Sequence, residues 1–248
     1  MVKRSPARIG NWQVDTDKQY SIEEFVSLMY DCIGQVLEEV KRPGILLSGG
    51  LDSSVLAIMA NKMRSVPCFT VAGDPHNPDL EAALRLAHEC DLDLHCYMPC
   101  QAARREALEL EHLSYPGDDA VFVALDFAAR FVTDILATDG IDELMGGYWF
   151  HAHRNDLFPE AAQAFEHFWG RLEEEHLTPM YLSANWLQVN LHWVFLQPSV
   201  VEYISRIPIE ERVRDGITKS WWRDVARAVG VPEWVISRPK RGFIDGLN

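Results

Sequence analysis

The 248-residue sequence has no apolar run approaching the roughly 20 residues that a membrane-crossing helix needs. Its start, Met1-Val2-Lys3-Arg4-Ser5-Pro6, leads into polar residues rather than a signal-peptide core. Both absences predict a cytoplasmic protein with no membrane partner. Positive charge is scarce: 23 Lys and Arg stand against 37 Asp and Glu, a formal net charge of -14. Nucleic-acid affinity comes largely from neutralised phosphates, so this balance disfavours a nucleic-acid partner and, with it, an RNA-modifying enzyme. No Gly precedes a Lys, which excludes a Walker A loop, and no G-x-G-x-x-G opens a helix. The five cysteines, Cys32, Cys68, Cys90, Cys96 and Cys100, are odd in number and form no C-x-x-C. They read as reduced thiols rather than disulfides, a zinc site or an iron–sulfur cluster. Internal repeats and low-complexity tracts are missing as well.

What remains is an ordinary soluble composition, 48% apolar and 24% charged, long enough to bury a sizeable core. Strand and helix patterns alternate along it. Ser21 to Glu39 carries apolar residues at close to helical period, opened by a capping box of Ser21 and Glu24. Arg42-Pro43-Gly44 breaks it, and Ile45 to Leu47 begins a buried strand. Further strands are expected at Val66 to Ala72, Leu92 to Met98 and Asp134 to Thr138. Helices are expected at Val55 to Ala60, Asp79 to Glu89, Gln101 to His112 and Ala120 to Phe131. Strands separated by such helices imply βαβ units, hence an α/β fold with a doubly wound parallel sheet. Ligands of such sheets sit beyond the carboxyl ends of the strands. From about Phe158 the pattern changes to amphipathic helices without evident strands. Two parts are therefore predicted: residues 1–157, a nucleotide-binding α/β domain with an N-terminal helix, and residues 158–248, a helical portion packing on it.

Between the first strand and the helix after it lies Ser48-Gly49-Gly50-Leu51-Asp52-Ser53-Ser54. Small residues at a helix start leave several backbone N–H groups at the positive end of the helix dipole, with no bulky side chain to block an anion. The loop reads as a phosphate cradle, although Gly-Gly and Ser-rich turns also serve as plain connectors. At the matching end of the fourth strand, Asp139-Gly140-Ile141-Asp142-Glu143 would face the same crevice. Asp52 and Asp142 suit Mg²⁺, a hard cation that prefers carboxylate and phosphate oxygens. Asp52 is equally able to cap the following helix, and Asp142 to complement a helix dipole. Lys219 and Lys240 offer fixed positive charge for a phosphate or another anion, the alternative being solvated surface lysines. His151 and His153, two apart, share no helix face and read as structural or exposed. Trp193, Trp221, Trp222 and Trp234 predict that the C-terminal part packs on the sheet or on a second copy of the chain, a homo-oligomer.

The wording SGGLDSS resembles the PP-loop of the ATP pyrophosphatase superfamily, whose members cleave ATP to AMP and pyrophosphate. Three later segments are similar to the asparagine synthetase family in order and spacing. Asp139-Gly140-Ile141-Asp142-Glu143-Leu144-Met145-Gly146-Gly147-Tyr148 resembles its E-G-x-D-E-x-x-G-G-Y. Lys219-Ser220-Trp221-Trp222-Arg223 resembles its K-x-x-x-R, and Arg238-Pro239-Lys240-Arg241-Gly242-Phe243 its R-x-K-x-x-F. The resemblance covers roughly residues 25 to 245. It implies ATP and Mg²⁺ as cofactors, with Leu47, Ser48, Gly49, Gly50, Asp52, Ser53, Ser54, Val71 and Gly140 on the nucleotide and Asp52 and Asp142 on the metal. Lys240 would stabilise the transition state, Lys219 contact pyrophosphate, and Asp139 handle protons of the incoming amine or shape the substrate site.

The implied reaction adenylates a small-molecule carboxylate with release of pyrophosphate, and ammonia or another amine then displaces AMP. The other readings are a nucleotide-binding subunit with little catalysis of its own and an RNA-modifying PP-loop enzyme. Asp139 departs from the family Glu by one methylene, which bears on the acceptor and the nucleophile. Residue 2 is Val where glutamine-dependent relatives expose a nucleophilic Cys. The chain is therefore expected to draw on free ammonia, a separate glutaminase subunit or an amine carried by a substrate.

Overall fold

The computed structural model describes residues 19–99, 113, 115 and 117–239. The helix expected at Gln101 to His112 lies outside them, as do Cys100 and Lys240. Among the described residues the first half runs α1 (Ile22–Glu39), β1 (Pro43–Leu46), α2 (Leu51–Met63), β2 (Cys68–Val71), α3 (Pro78–Cys90), β3 (Leu94–Tyr97), α4 (Asp118–Ala129) and β4 (Asp134–Ala137). It continues through α5 (Ile141–Met145), α6 (Trp149–Ala152), α7 (Ala161–Leu172), α8 (Thr178–Trp186) and β5 (Asn190–Trp193). Four more helices close it: α9 (Pro198–Ser205), α10 (Ile209–Arg212), α11 (Ser220–Val229) and α12 (Glu233–Ile236).

The five strands form one parallel sheet in the order β3-β2-β1-β4-β5. Ile45 of β1 pairs with Cys68 on one side and Leu136 on the other, so β1 is interior and its first three residues are buried. Pro43 and Gly44, read from sequence as a helix breaker, belong to this strand. Proline is tolerated as the first residue of a strand, where its missing N–H costs no ladder bond. At Gly44 a Cβ would lie 2.9 Å from both Phe69 and Val132, so the neighbouring side chains close over the backbone there.

A second departure is β5. The segment after Phe158 was expected to hold helices alone, yet Asn190–Trp193 adds a fifth strand along β4, pairing Asn190 with Asp134 and Trp193 with Ala137. Four residues, partly exposed at a sheet edge, carry too little periodicity to be separated from the helical pattern around them.

Alternation along the strands divides the apolar residues between two cores. Ile45, Leu47, Cys68 and Leu136 face α1, α2 and α11, whereas Phe69, Val71, Ile135 and Ala137 face α4 and α8. Helices on both faces make the sheet doubly wound. The first core draws heavily on the C-terminal part: Trp221 and Trp222 of α11 meet Phe25 of α1 edge-on at 5.1 and 6.3 Å between ring centroids. Phe25 and Trp222 are fully buried, and each such side chain stabilises the fold by about 1.5–3 kcal/mol or more. The same contact fixes where the start of α11 falls relative to β1.

The capping box at Ser21 is only half formed. Ser21 Oγ accepts the Glu24 N–H at 3.1 Å, but the Ser21 N–H donates to Tyr203 Oη at 2.8 Å. The Glu24 carboxylate sits 3.0 Å from that same hydroxyl. A tertiary partner from α9 has replaced the local one, tying the two helices together.

Candidate active site

Strand order reverses between β1 and β4, and both lead into glycine-bearing loops on the same side of the sheet. Ligands of open α/β sheets bind at such a switch point. A cavity of about 540 Å³ opens there, within the range of small-molecule sites.

The first loop is held by its own hydroxyls. Ser53 Oγ reaches back to Ser48, 3.3 Å from its N–H and 3.2 Å from its Oγ, and Ser54 Oγ donates to Gly50 O at 2.6 Å. Gly49 has φ +69, and a Cβ on it would sit 2.7 Å from Ala83 N and 2.9 Å from Asp79 O, both backbone atoms of α3. No other residue fits there without moving a helix. Gly50 then precedes the first turn of α2, whose N–H groups have no intrahelical partner.

Three side chains from distant parts of the chain converge above this loop. Lys219 Nζ lies 2.6 Å from Asp52 Oδ2 and 2.6 Å from Asp142 Oδ1. The other oxygen of Asp52 accepts the indole N–H of Trp222 at 2.9 Å. Burial works against the Lys219 charge, but the carboxylates of Asp142 and Asp52 outweigh it and hold the ammonium above the ordinary lysine range. Gly147 makes the convergence sterically feasible, since a Cβ there would fall 1.7 Å from Asp142 Oδ1 and 2.6 Å from Lys219 Cε.

Two arginines brace the site. Arg212, fully buried, donates to Leu144 O, Ile204 O and Ile207 O at 3.0, 2.7 and 2.9 Å, which fastens the short helix bearing Asp142 to the end of α9. Arg238 bonds Asp79 at 2.5 Å and Pro78 O at 2.8 Å, and reaches Gly49 O at 3.4 Å. It thereby locks the C-terminal segment against the phosphate loop, two residues before Lys240.

Further acidic groups line the cavity. Asp139 sits half-buried just past β4, where burial and the nearby Glu143 and Asp142 raise its pKa to about 6, against the pull of His176. The Tyr148 hydroxyl donates to buried Glu143 Oε1 at 2.6 Å and lies 3.3 Å from His176 Nε2. Burial and these carboxylates push its deprotonation well above the ordinary tyrosine range, so it remains a donor at neutral pH. His176 belongs to a π-helical turn, Glu173–Leu177, between α7 and α8. Such turns concentrate at functional sites because they re-aim a side chain within a continuous helix.

Of the residues singled out from sequence, Ser48, Gly50, Asp52, Ser53, Asp139, Gly140, Asp142 and Lys219 line this cavity together. Leu47 and Val71 turn into the two cores, Ser54 is buried beneath the loop and Gly49 packs on α3, so none of these four is on the cavity wall. His151 is buried against Phe165, and His153 stacks on Trp149 outside. Sequence reasoning overlooked Trp222 as a partner of Asp52, the bracing role of Arg212 and Arg238, and the Glu143–Tyr148–His176 cluster. Arg238 and Trp222 did lie within quoted motifs. Arg212 and His176 carried no signal, since a lone Arg or His in a helical stretch looks like any solvated one.

The donor set bears on what the site can hold. Mg²⁺ is usually bound through one or two carboxylates with substrate phosphates and water completing its shell, and Asp52 and Asp142 form such a pair. Lys219, Arg223 and Arg238 line the same cavity and supply positive charge for an anion. A phosphate-bearing ligand with a divalent cation therefore fits the residues present.

The family model described as asparagine synthase matches residues 24–191 and 183–248. Asparagine synthetase [glutamine-hydrolyzing] of Gallus gallus is 27% identical over 262 residues, covering 96% of this chain and 46% of that protein. A putative asparagine synthetase [glutamine-hydrolyzing] of Methanocaldococcus jannaschii is 28% identical over 206 residues, covering 73% and 36%. The chain thus spans less than half the length of these relatives. Among solved structures, NMN synthetase from Francisella tularensis superposes with a TM-score of 0.52 over 92% of this chain and 78% of that one, at 13% identity. That likeness is one of fold.

Proposed function

The chain belongs to the asparagine synthase family, and from that premise we propose that it is an ATP-dependent amide-forming ligase. It would adenylate a small-molecule carboxylate with release of pyrophosphate, then pass the acyl group to ammonia or another amine with release of AMP. The observation that carries the reading is that Asp52 and Asp142, from the first turns of α2 and α5 at the switch point, meet on one Lys219 ammonium in the cavity that the Ser-Gly-Gly loop also lines.

Each part of the cavity has a task in this scheme. The N–H groups at the start of α2 and the hydroxyl-braced loop receive the phosphates. Asp52 and Asp142 would hold Mg²⁺, which when bound offsets phosphate charge. Lys219 and Arg223 face the departing pyrophosphate with fixed positive charge, and Lys240, outside the described residues, is assigned to the charge developing on the acyl oxygen. Asp139, with a pKa near neutrality, is suited to take the proton that the attacking amine must lose. Tyr148, kept protonated, orients that end by hydrogen bonding.

Pyrophosphate release tests the proposal, measured with Mg-ATP, ammonium and a panel of small carboxylic acids. Turnover that depends on one acid, lost in Asp52→Asn with the fold intact, is the expected result. Tight ATP binding without release across the panel would favour a nucleotide-binding subunit instead.

A further inference from the structure

The position between two carboxylates that a divalent cation would take is filled here by a side chain of the protein itself. Lys219 Nζ touches both Asp52 and Asp142 at 2.6 Å, and the residue is only 5% exposed. Its placement is fixed by the backbone. Lys219 has φ 56 and ψ 32, a left-handed conformation uncommon for a non-glycine residue, at the N-cap of α11. Its N–H donates to Gly146 O at 3.2 Å, and its carbonyl accepts the Arg223 N–H at 2.8 Å. The main chain of Lys219 is therefore tied to the end of α5, while Trp222 one turn on takes the remaining oxygen of Asp52.

A dication and an ammonium cannot share this gap. Each carboxylate oxygen in contact with Nζ would have to exchange it for the metal, and like charges a few ångströms apart in a buried site repel strongly. A nucleotide changes the balance, because its phosphates give the displaced ammonium a new anionic partner beside the loop. We propose that Lys219 acts as a resident counterion that keeps the Asp52–Asp142 pair closed to free divalent cations, so that the metal enters only with the nucleotide. The ligand this site accepts is then the metal–nucleotide complex. This inference rests on the reading of Asp52 and Asp142 as the metal-holding pair.

Mn²⁺ binding followed by electron paramagnetic resonance tests this without any acceptor acid. The wild-type protein alone should leave the free-Mn²⁺ signal unchanged, and with α,β-methylene-ATP, which cannot release pyrophosphate, should take up Mn²⁺ beyond what the same nucleotide chelates without protein. Lys219→Met should bind Mn²⁺ without nucleotide at least about tenfold more tightly than wild type. The double variant Lys219→Met, Asp142→Asn should lose that gain, which locates the ion. Should Lys219→Met fail to fold, Lys219→Gln takes its place, and the wild-type arms stand without either. Tight Mn²⁺ binding by wild type without nucleotide, no gain in the lysine variants, or no Mn²⁺ uptake by wild type with nucleotide beyond that of the nucleotide alone overturns the proposal. Metal binding as expected with no pyrophosphate release from any acid would sink the ligase reading and leave the counterion role standing.

Discussion

Asp139→Asn should change the pH dependence of stability in a way that can be worked out from its surroundings. The carboxyl is half-buried beyond β4, with its pKa raised from 3.8 to about 6, foremost by burial and then by Glu143 and Asp142. A folded pKa above the unfolded one means that the native state retains a proton that the unfolded chain has released. Its stabilising contribution is full below about pH 3.8 and is lost as pH rises through about 6. The whole span amounts to about 3 kcal/mol at 1.36 kcal/mol per pH unit, and about half of it falls between pH 5 and 7.5. Water in the cavity screens a partly exposed carboxylate, which brings the expected change over that interval to about 1 kcal/mol. Asparagine cannot ionise and is free of this dependence. Urea unfolding followed by tryptophan fluorescence at both pH values should show the variant gaining about 1 kcal/mol relative to wild type at pH 7.5 compared with pH 5. In melting temperature that is roughly 2–4 °C for a chain of this size. An identical difference between variant and wild type at the two pH values would refute the assignment of a raised pKa to Asp139.

Other substitutions probe the scaffold around the site. Gly49→Ala places a Cβ 2.7 Å from the α3 backbone at φ +69, so unfolding free energy should fall by about 2 kcal/mol or more, read from the urea midpoint. Gly147→Ala drives a methyl into Asp142 Oδ1; calorimetry should find Mg²⁺-dependent nucleotide binding weakened by about tenfold or more, and unchanged affinity would mean that Asp142 takes no part. Arg212→Met strips the donor from three buried carbonyls, and a loss of about 3 kcal/mol is expected in thermal unfolding, whereas a change under about 1 kcal/mol would show that the brace is dispensable.

Among the described residues, the amino-acid order alone determined the alternation of strand and helix as far as β4, because most apolar runs there are bounded by capping or turn residues such as Ser21, Pro43, Gly50, Gly73 and Asp91. It also determined the phosphate loop, since a cradle of this kind is a local object built from seven consecutive residues. Short elements whose existence depends on a neighbour escaped that reading. Strand β5 forms because β4 presents an unpaired edge, and the helix cap at Ser21 is completed by Tyr203, 182 residues away. Asp52, Asp139, Asp142 and Lys219 were nameable one by one, but not their partners. Lys219 and Asp52 are separated by 167 residues, and tertiary contacts, among them the packing of Trp221 and Trp222 on Phe25, set the start of α11 beside the phosphate loop. A charge pattern in one dimension says which groups can bind a phosphate or a metal. Whether an ammonium or a metal ion stands between two carboxylates is decided by distances of a few ångströms, which the fold alone imposes.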